Sequence, residues 1–68
     1  MTKNEHKLKE YQGRCNRLSD VAKFAEEMMN NPQFNWDREA GAALLVATEQ
    51  IIARYCERMA QLGGDRDG

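Results

Sequence analysis

An all-α fold is predicted for this 68-residue chain: an antiparallel helical hairpin that pairs with a second copy into a four-helix bundle. Three observations predict it. Apolar side chains recur at alternating spacings of three and four on both sides of residue 32. The only proline and the only tryptophan lie together near the midpoint, in NNPQFNWD, Asn30 to Asp37. Finally, a chain this short makes a small core that is rarely stable without a disulfide, a metal or another chain.

The first helix is expected over about residues 3–30. Leu8, Tyr11, Cys15, Leu18, Ala22, Ala25 and Met29 follow one another at steps of three and four, the seam of a helix packed lengthwise on another. Pro32 lacks the amide proton that would continue the ladder and biases Asn31 away from helical angles, so the helix stops near Asn30. Residues 31–36 form the turn.

The second helix is expected over about residues 37–62. Asn35 or Asp37 can cap its start by accepting a backbone N–H, and Asp37 and Glu39 suit the positive end of its dipole. Its apolar stripe runs Leu44, Leu45, Thr48, Ile51, Ile52, Tyr55, Cys56, Met59 and Leu62, with Glu49, Gln50, Arg54, Glu57 and Gln61 outside it. Gly63 and Gly64 are expected to end the helix, and GGDRDG, residues 63–68, to form a disordered tail. Each arm is then roughly 26 residues, or about 40 Å, long.

In a hairpin centred near residue 33, Tyr11 faces Tyr55, Cys15 falls near Ile51 and Cys56 near Glu10. That leaves the two cysteines about 7.5 Å apart along the axis, so they are expected as small, reduced core residues without a disulfide. The small residues Ala40 to Ala43 after the turn allow the arms to approach closely, with Phe34 and Trp36 either closing the end of the core or standing out as an aromatic knob for a partner. Gly13 lies in mid-helix, where it costs on the order of 1 kcal/mol relative to alanine. Either another backbone passes close to it or the first turns are loosely held.

Composition narrows the function classes. Hydrophobic residues at 41% and charged residues at 31% argue against intrinsic disorder, and no apolar run approaches the ~18 residues of a membrane span. With no signal-peptide apolar segment at its start, the chain is read as cytoplasmic. One histidine and two distant cysteines offer no metal-ligand spacing, and neither a nucleophile–base pair nor a phosphate-cradling glycine loop is present, so no cofactor and no enzymatic activity are expected. Residues 1–23 carry six basic and three acidic side chains, a net +3, and residues 24–68 carry four and eight, a net −4. The simplest reading is two complementary helix faces that attract each other when the halves lie side by side. A basic patch for nucleic acid is the sharper alternative, disfavoured because such binders usually carry a strongly positive domain charge.

Beside the seam of the first helix, Val21, Phe24 and Met28 add a second apolar side, and the second helix presents a wide stripe with Val46 on its far side. Two helices form one seam and leave this surplus wet, so a homodimer is expected. Its shared and internal core is drawn from Leu8, Tyr11, Cys15, Leu18, Val21, Phe24, Met28, Leu45, Ile52, Tyr55 and Met59. What remains after that core is filled, Arg14 and Arg17 beside Gly13, Phe34 and Trp36 at the tip, and Val46, is the candidate surface for a larger partner.

The layout KLKEYQGRCNRL, then NNPQFNW, then ALLVATEQIIARY, resembles over the whole chain the small early-region proteins with which bacteriophages disable host machinery. It is most similar in size and arrangement to the phage quorum-sensing anti-activators. That resemblance implies a dimeric helical inhibitor of a host protein, a LuxR-type transcriptional activator and also the ATPase of type IV pilus assembly, acting by occupying the activator's DNA-binding surface. Short antitoxins and bacterial anti-activators share the outline, which keeps a small DNA-binding or antitoxin-like regulator as the alternative. No residue role is carried over from the resemblance.

Overall fold

Proline at position 32 does what its chemistry requires. In a computed structural model, which describes residues 3–64, helix α1 runs Lys3–Asn30 and helix α2 runs Asp37–Gly64, 28 residues each, folded back on one another as a hairpin. The last amide of the α1 ladder is that of Asn31, which donates to the Glu27 carbonyl at 2.8 Å, one residue before the imino nitrogen of Pro32. The molecule is an elongated slab of 51 × 18 × 12 Å, with residues 31–36 at one end, the tip, and both outer helix ends at the other.

The seam read from the sequence is the packed seam, except that Ile51 and Cys56 of the expected α2 stripe are exposed, lying at the edges of its arc. Along α1, Cys15 and Ala25 are buried and Leu8, Tyr11, Leu18, Ala22 and Met29 are half-buried. Along α2, Gly41, Thr48 and Leu62 are buried, with Leu44, Leu45, Ile52, Tyr55 and Met59 half-buried. Thr48 tolerates burial because its hydroxyl donates back to the Leu44 carbonyl at 2.7 Å, which satisfies its one donor inside the helix. The closest approach lies near the tip. A methyl group placed on Gly41 would come 2.8 Å from the Ala25 carbonyl oxygen, so the two backbones touch there and only glycine fits. At the open end Tyr11 and Tyr55 pack with ring centroids 5.4 Å apart.

Three expectations are corrected. Helix α2 does not stop at Leu62 but continues through Gly63 and Gly64, and no glycine among the described residues adopts the left-handed conformation of a helix-ending cap. Glycine accepts right-handed helical angles at a cost of about 1 kcal/mol each, and burial of Leu62 in the seam holds the turn before them. The remainder of the expected tail, residues 65–68, lies outside the described residues.

The second correction concerns the cap of α2. Trp36 occupies the cap position, its carbonyl accepting from the Ala40 amide at 2.9 Å. Asp37 instead reaches backwards: its Oδ2 accepts the backbone amides of Gln33 at 2.6 Å and Phe34 at 3.1 Å, and its side chain is buried. The turn is therefore held by one carboxylate.

Third, the cysteines are nearer to each other than expected, close enough for Cys56 to act on the Cys15 thiol. Both are free, as expected, but only Cys15 is a core residue, since Cys56 is exposed. Levels along the axis do follow the expected register, as Asn4 with Leu62 and Tyr11 with Tyr55 show. Side chains, however, tilt toward the N-terminus of their own helix. In antiparallel helices those tilts point in opposite directions, and here they carry Cys15 toward the open end and Cys56 toward the tip, closing the gap from both sides.

Candidate interaction surface

One broad side of the slab gathers most of the surplus apolar surface. Val21, Phe24, Phe34, Trp36 and Ile51 are all between 37% and 60% exposed, although each is large and apolar. Val21 and Phe24 are three residues apart and so share a side of α1. Val21 lines an open groove of about 360 Å³ with Arg14, Arg17, Leu18, Ile51 and Tyr55. Phe24 lines a second, of about 230 Å³, that includes Met28, Glu27, Phe34, Trp36 and Asp37. The two grooves follow one another along this side, from the level of Arg14 and Tyr55 to the tip, and together make a strip.

At the tip the aromatics stand out. Phe34 and Trp36 do not close the end of the core as one reading of the sequence had it; they stack on each other, centroids 5.0 Å apart and planes 5° from parallel, with more than half of each residue in water. The cause is local: the Asp37 carboxylate gathers the Gln33 and Phe34 amides on the inner side of the turn, leaving the two rings to pair outside. At the other end of the strip Arg14 donates to the Tyr55 hydroxyl at 3.1 Å and to Glu10 Oε1 at 3.3 Å. The hydroxyl, followed by the Glu10 charge, raises the guanidinium's pKa further above its ordinary value. Arg17 shares that groove and is exposed. Val46, the remaining candidate, is 54% exposed but belongs to neither groove, so the fold separates it from the other four.

Charge is arranged along the slab rather than between its helices. Among the described residues, the open-end half (3–17 and 51–64) holds seven basic and three acidic side chains, a net +4, and the tip half (18–50) holds two and six, a net −4. The expectation of one basic and one acidic helix face is thereby replaced, since the C-terminal half of α1 is acidic and the C-terminal half of α2 basic. The Arg14–Glu10 ion pair, accordingly, lies within one helix.

The Cys15 thiol is pushed up from its ordinary pKa by burial first, then by the charge and hydrogen bond of Cys56. No group of histidine, cysteine and carboxylate side chains among the described residues could hold a metal ion, and no helix of the described residues is long and apolar enough to cross a membrane.

Against family models, curated proteins and solved structures, this chain finds no match.

Proposed function

We propose that the chain is a non-catalytic interaction protein: a homodimer of hairpins, forming a four-helix bundle, whose remaining surface binds and blocks a larger protein. The observation that carries this reading is the balance of apolar surface. Among the described residues only Cys15, Ala25 and Leu62 are buried apolar residues, while six large ones, the five of the strip and Val46, stay exposed. A contiguous exposed strip of this kind is the usual mark of an interaction site. Burying the strip against a second copy supplies the core that two helices lack. Stacked Phe34 and Trp36 are suited to anchoring a partner, since aromatic side chains dominate binding energy at interfaces. A host regulatory protein, with a LuxR-type activator and a pilus assembly ATPase first in order of trial, is the partner that the resemblance implies.

The net +4 of the open end favours one second reading, a small DNA-binding or antitoxin-like regulator in which those cations meet phosphates. The two readings separate in one experiment. The protein is used as bait in a bacterial lysate beside a Phe34→Ala/Trp36→Ala variant, and duplex DNA binding is followed at several salt concentrations. Capture of one regulator that the double variant loses supports the inhibitor. Steeply salt-sensitive DNA binding, with no protein partner lost, overturns it in favour of the regulator.

A further inference from the structure

The apolar strip has ends that differ in charge and chemistry. Its centre is Leu18, Val21 and Ile51. One end is cationic, with Arg14 and Arg17 on α1 and Arg54 and Arg58 on α2; the other has Glu27 beside the open faces of Phe34 and Trp36. We propose that a second copy of this chain covers the strip turned end for end, the tip of each hairpin over the open end of the other. This rests on the self-association proposed above and adds to it the face and the orientation.

Symmetry makes the fit specific. A twofold axis brings each residue of one copy against the residue equally far on the other side of the axis in its partner, so every contact occurs twice. With the axis beside Val21, Arg14 comes to the partner's Met28 and Arg17 to the partner's Ala25, which puts both guanidinium groups within side-chain reach of the partner's Glu27 and the ring of the partner's Phe24. Phe34 lies as far beyond Val21 as Leu8 lies before it, and the level of Leu8 on α2 is that of Arg58. One outer face of each tip's ring stack thus meets the partner's Arg58, a cation over an aromatic face, and the other outer face stays open to the larger partner. Apolar centre meets apolar centre.

The opposite orientation, tips together, sets Arg14, Arg17, Arg54 and Arg58 of one copy against the same four arginines of the other, and Glu27 against Glu27, across one interface and so inside the Debye length of about 10 Å at 0.1 M salt. Like charges facing across an interface are strongly disfavoured. The size also suits a stable pair: with the axis beside Val21 the copies overlap from the level of Leu8 to that of Phe34, about 39 Å at 1.5 Å per residue, which at a width of 18 Å is about 700 Å² per copy, close to the roughly 800 Å² per partner of a standard interface.

Two measurements test the proposal. Sedimentation equilibrium compares the protein with an Arg14→Glu/Arg17→Glu variant, checked by circular dichroism to be helical. The variant is expected to dissociate roughly tenfold more readily or more, and Glu27→Arg added to the same chain is expected to restore much of the loss. Unchanged or tighter association of the double variant overturns the orientation, because tips-together pairing would be relieved by the loss of facing arginines. Independently, a nitroxide on Asn35→Cys, in a Cys15→Ala/Cys56→Ser chain shown to be helical, reports the distance between tips. Fourteen positions on each side of Val21 at 1.5 Å per residue give about 40 Å between labels for the end-for-end pair. A separation under about 20 Å overturns the orientation and leaves self-association standing, whereas a monomeric mass for the unsubstituted protein removes both.

Discussion

Substituting alanine at Gly41 probes the closest contact in the molecule. The added methyl would come 2.8 Å from the Ala25 carbonyl oxygen, 3.0 Å from Met29 Cγ and 3.1 Å from Met28 Cβ. Carbon–oxygen contacts ordinarily lie at about 3.3–3.6 Å, so the helices must part by roughly 0.5 Å at this point, and the nearest obstacle is backbone, which cannot rotate away. Overpacking of this kind costs about 1–3 kcal/mol, and alanine's higher helix propensity returns about 1 kcal/mol. The net expectation is destabilisation by about 0–2 kcal/mol, a fall in Tm of up to about 15 °C for a domain of this size. Gly13 is the internal control: a methyl there meets nothing within 4 Å and the backbone angle is not left-handed, so no other backbone passes close to it. Gly13→Ala is expected to stabilise by up to about 1 kcal/mol. Thermal unfolding followed by far-UV circular dichroism at one fixed protein concentration reads both signs. A Gly41→Ala protein stabilised as much as Gly13→Ala would refute the close approach on which the hairpin geometry depends.

Other perturbations follow from the same geometry. Asp37→Ala removes the acceptor of two backbone amides and is expected to cost about 1–2 kcal/mol, less than two buried charge-assisted bonds because water reaches the exposed turn; urea unfolding measures it, and an unchanged midpoint would show that the turn holds itself. Phe34→Ala/Trp36→Ala should lower stability by no more than about 1 kcal/mol, the order of one aromatic pair, while abolishing partner capture; a collapse of the melting curve would mean that the rings close the core after all. Exposed Cys56 should react with iodoacetamide roughly tenfold faster than buried Cys15, whose thiol holds its proton longer; equal rates by mass spectrometry would contradict the burial. Since the Cys15 pKa is higher in the folded than in the unfolded chain, the unfolded chain ionises first. Its contribution to stability is complete below the ordinary value of 9.0 and declines as pH rises through the folded value, a decline that Cys15→Ala should remove.

What could be read from the sequence was whatever depends on period or on a single bond type. The three-and-four spacing from Leu8 to Met29 places the seam because a helix turns by a fixed angle, and Pro32 ends α1 because it has no N–H to give. Side-chain direction was not legible. The register was right to within a turn, yet the Cys15–Cys56 neighbourhood depends on opposite tilts that residue levels ignore. Phe34 and Trp36 were ambiguous because a short turn can aim a ring inward or outward, and the decision is made by the backward reach of Asp37, which looks in the sequence like an ordinary cap. Charge misled for a related reason. Counted by halves of the chain it suggests a basic and an acidic helix, but folding back at residue 32 places each helix's charged halves at opposite ends of the slab. The residues of the strip share no motif spacing, and only their joint exposure marks them.

The most direct test of the central claim, that an uncovered apolar strip obliges this hairpin to associate with itself, is the mass of the folded protein by light scattering behind size exclusion at micromolar concentration. A helical species at twice 7.8 kDa is expected. A stable helical species at 7.8 kDa, with the strip open to water, would contradict it.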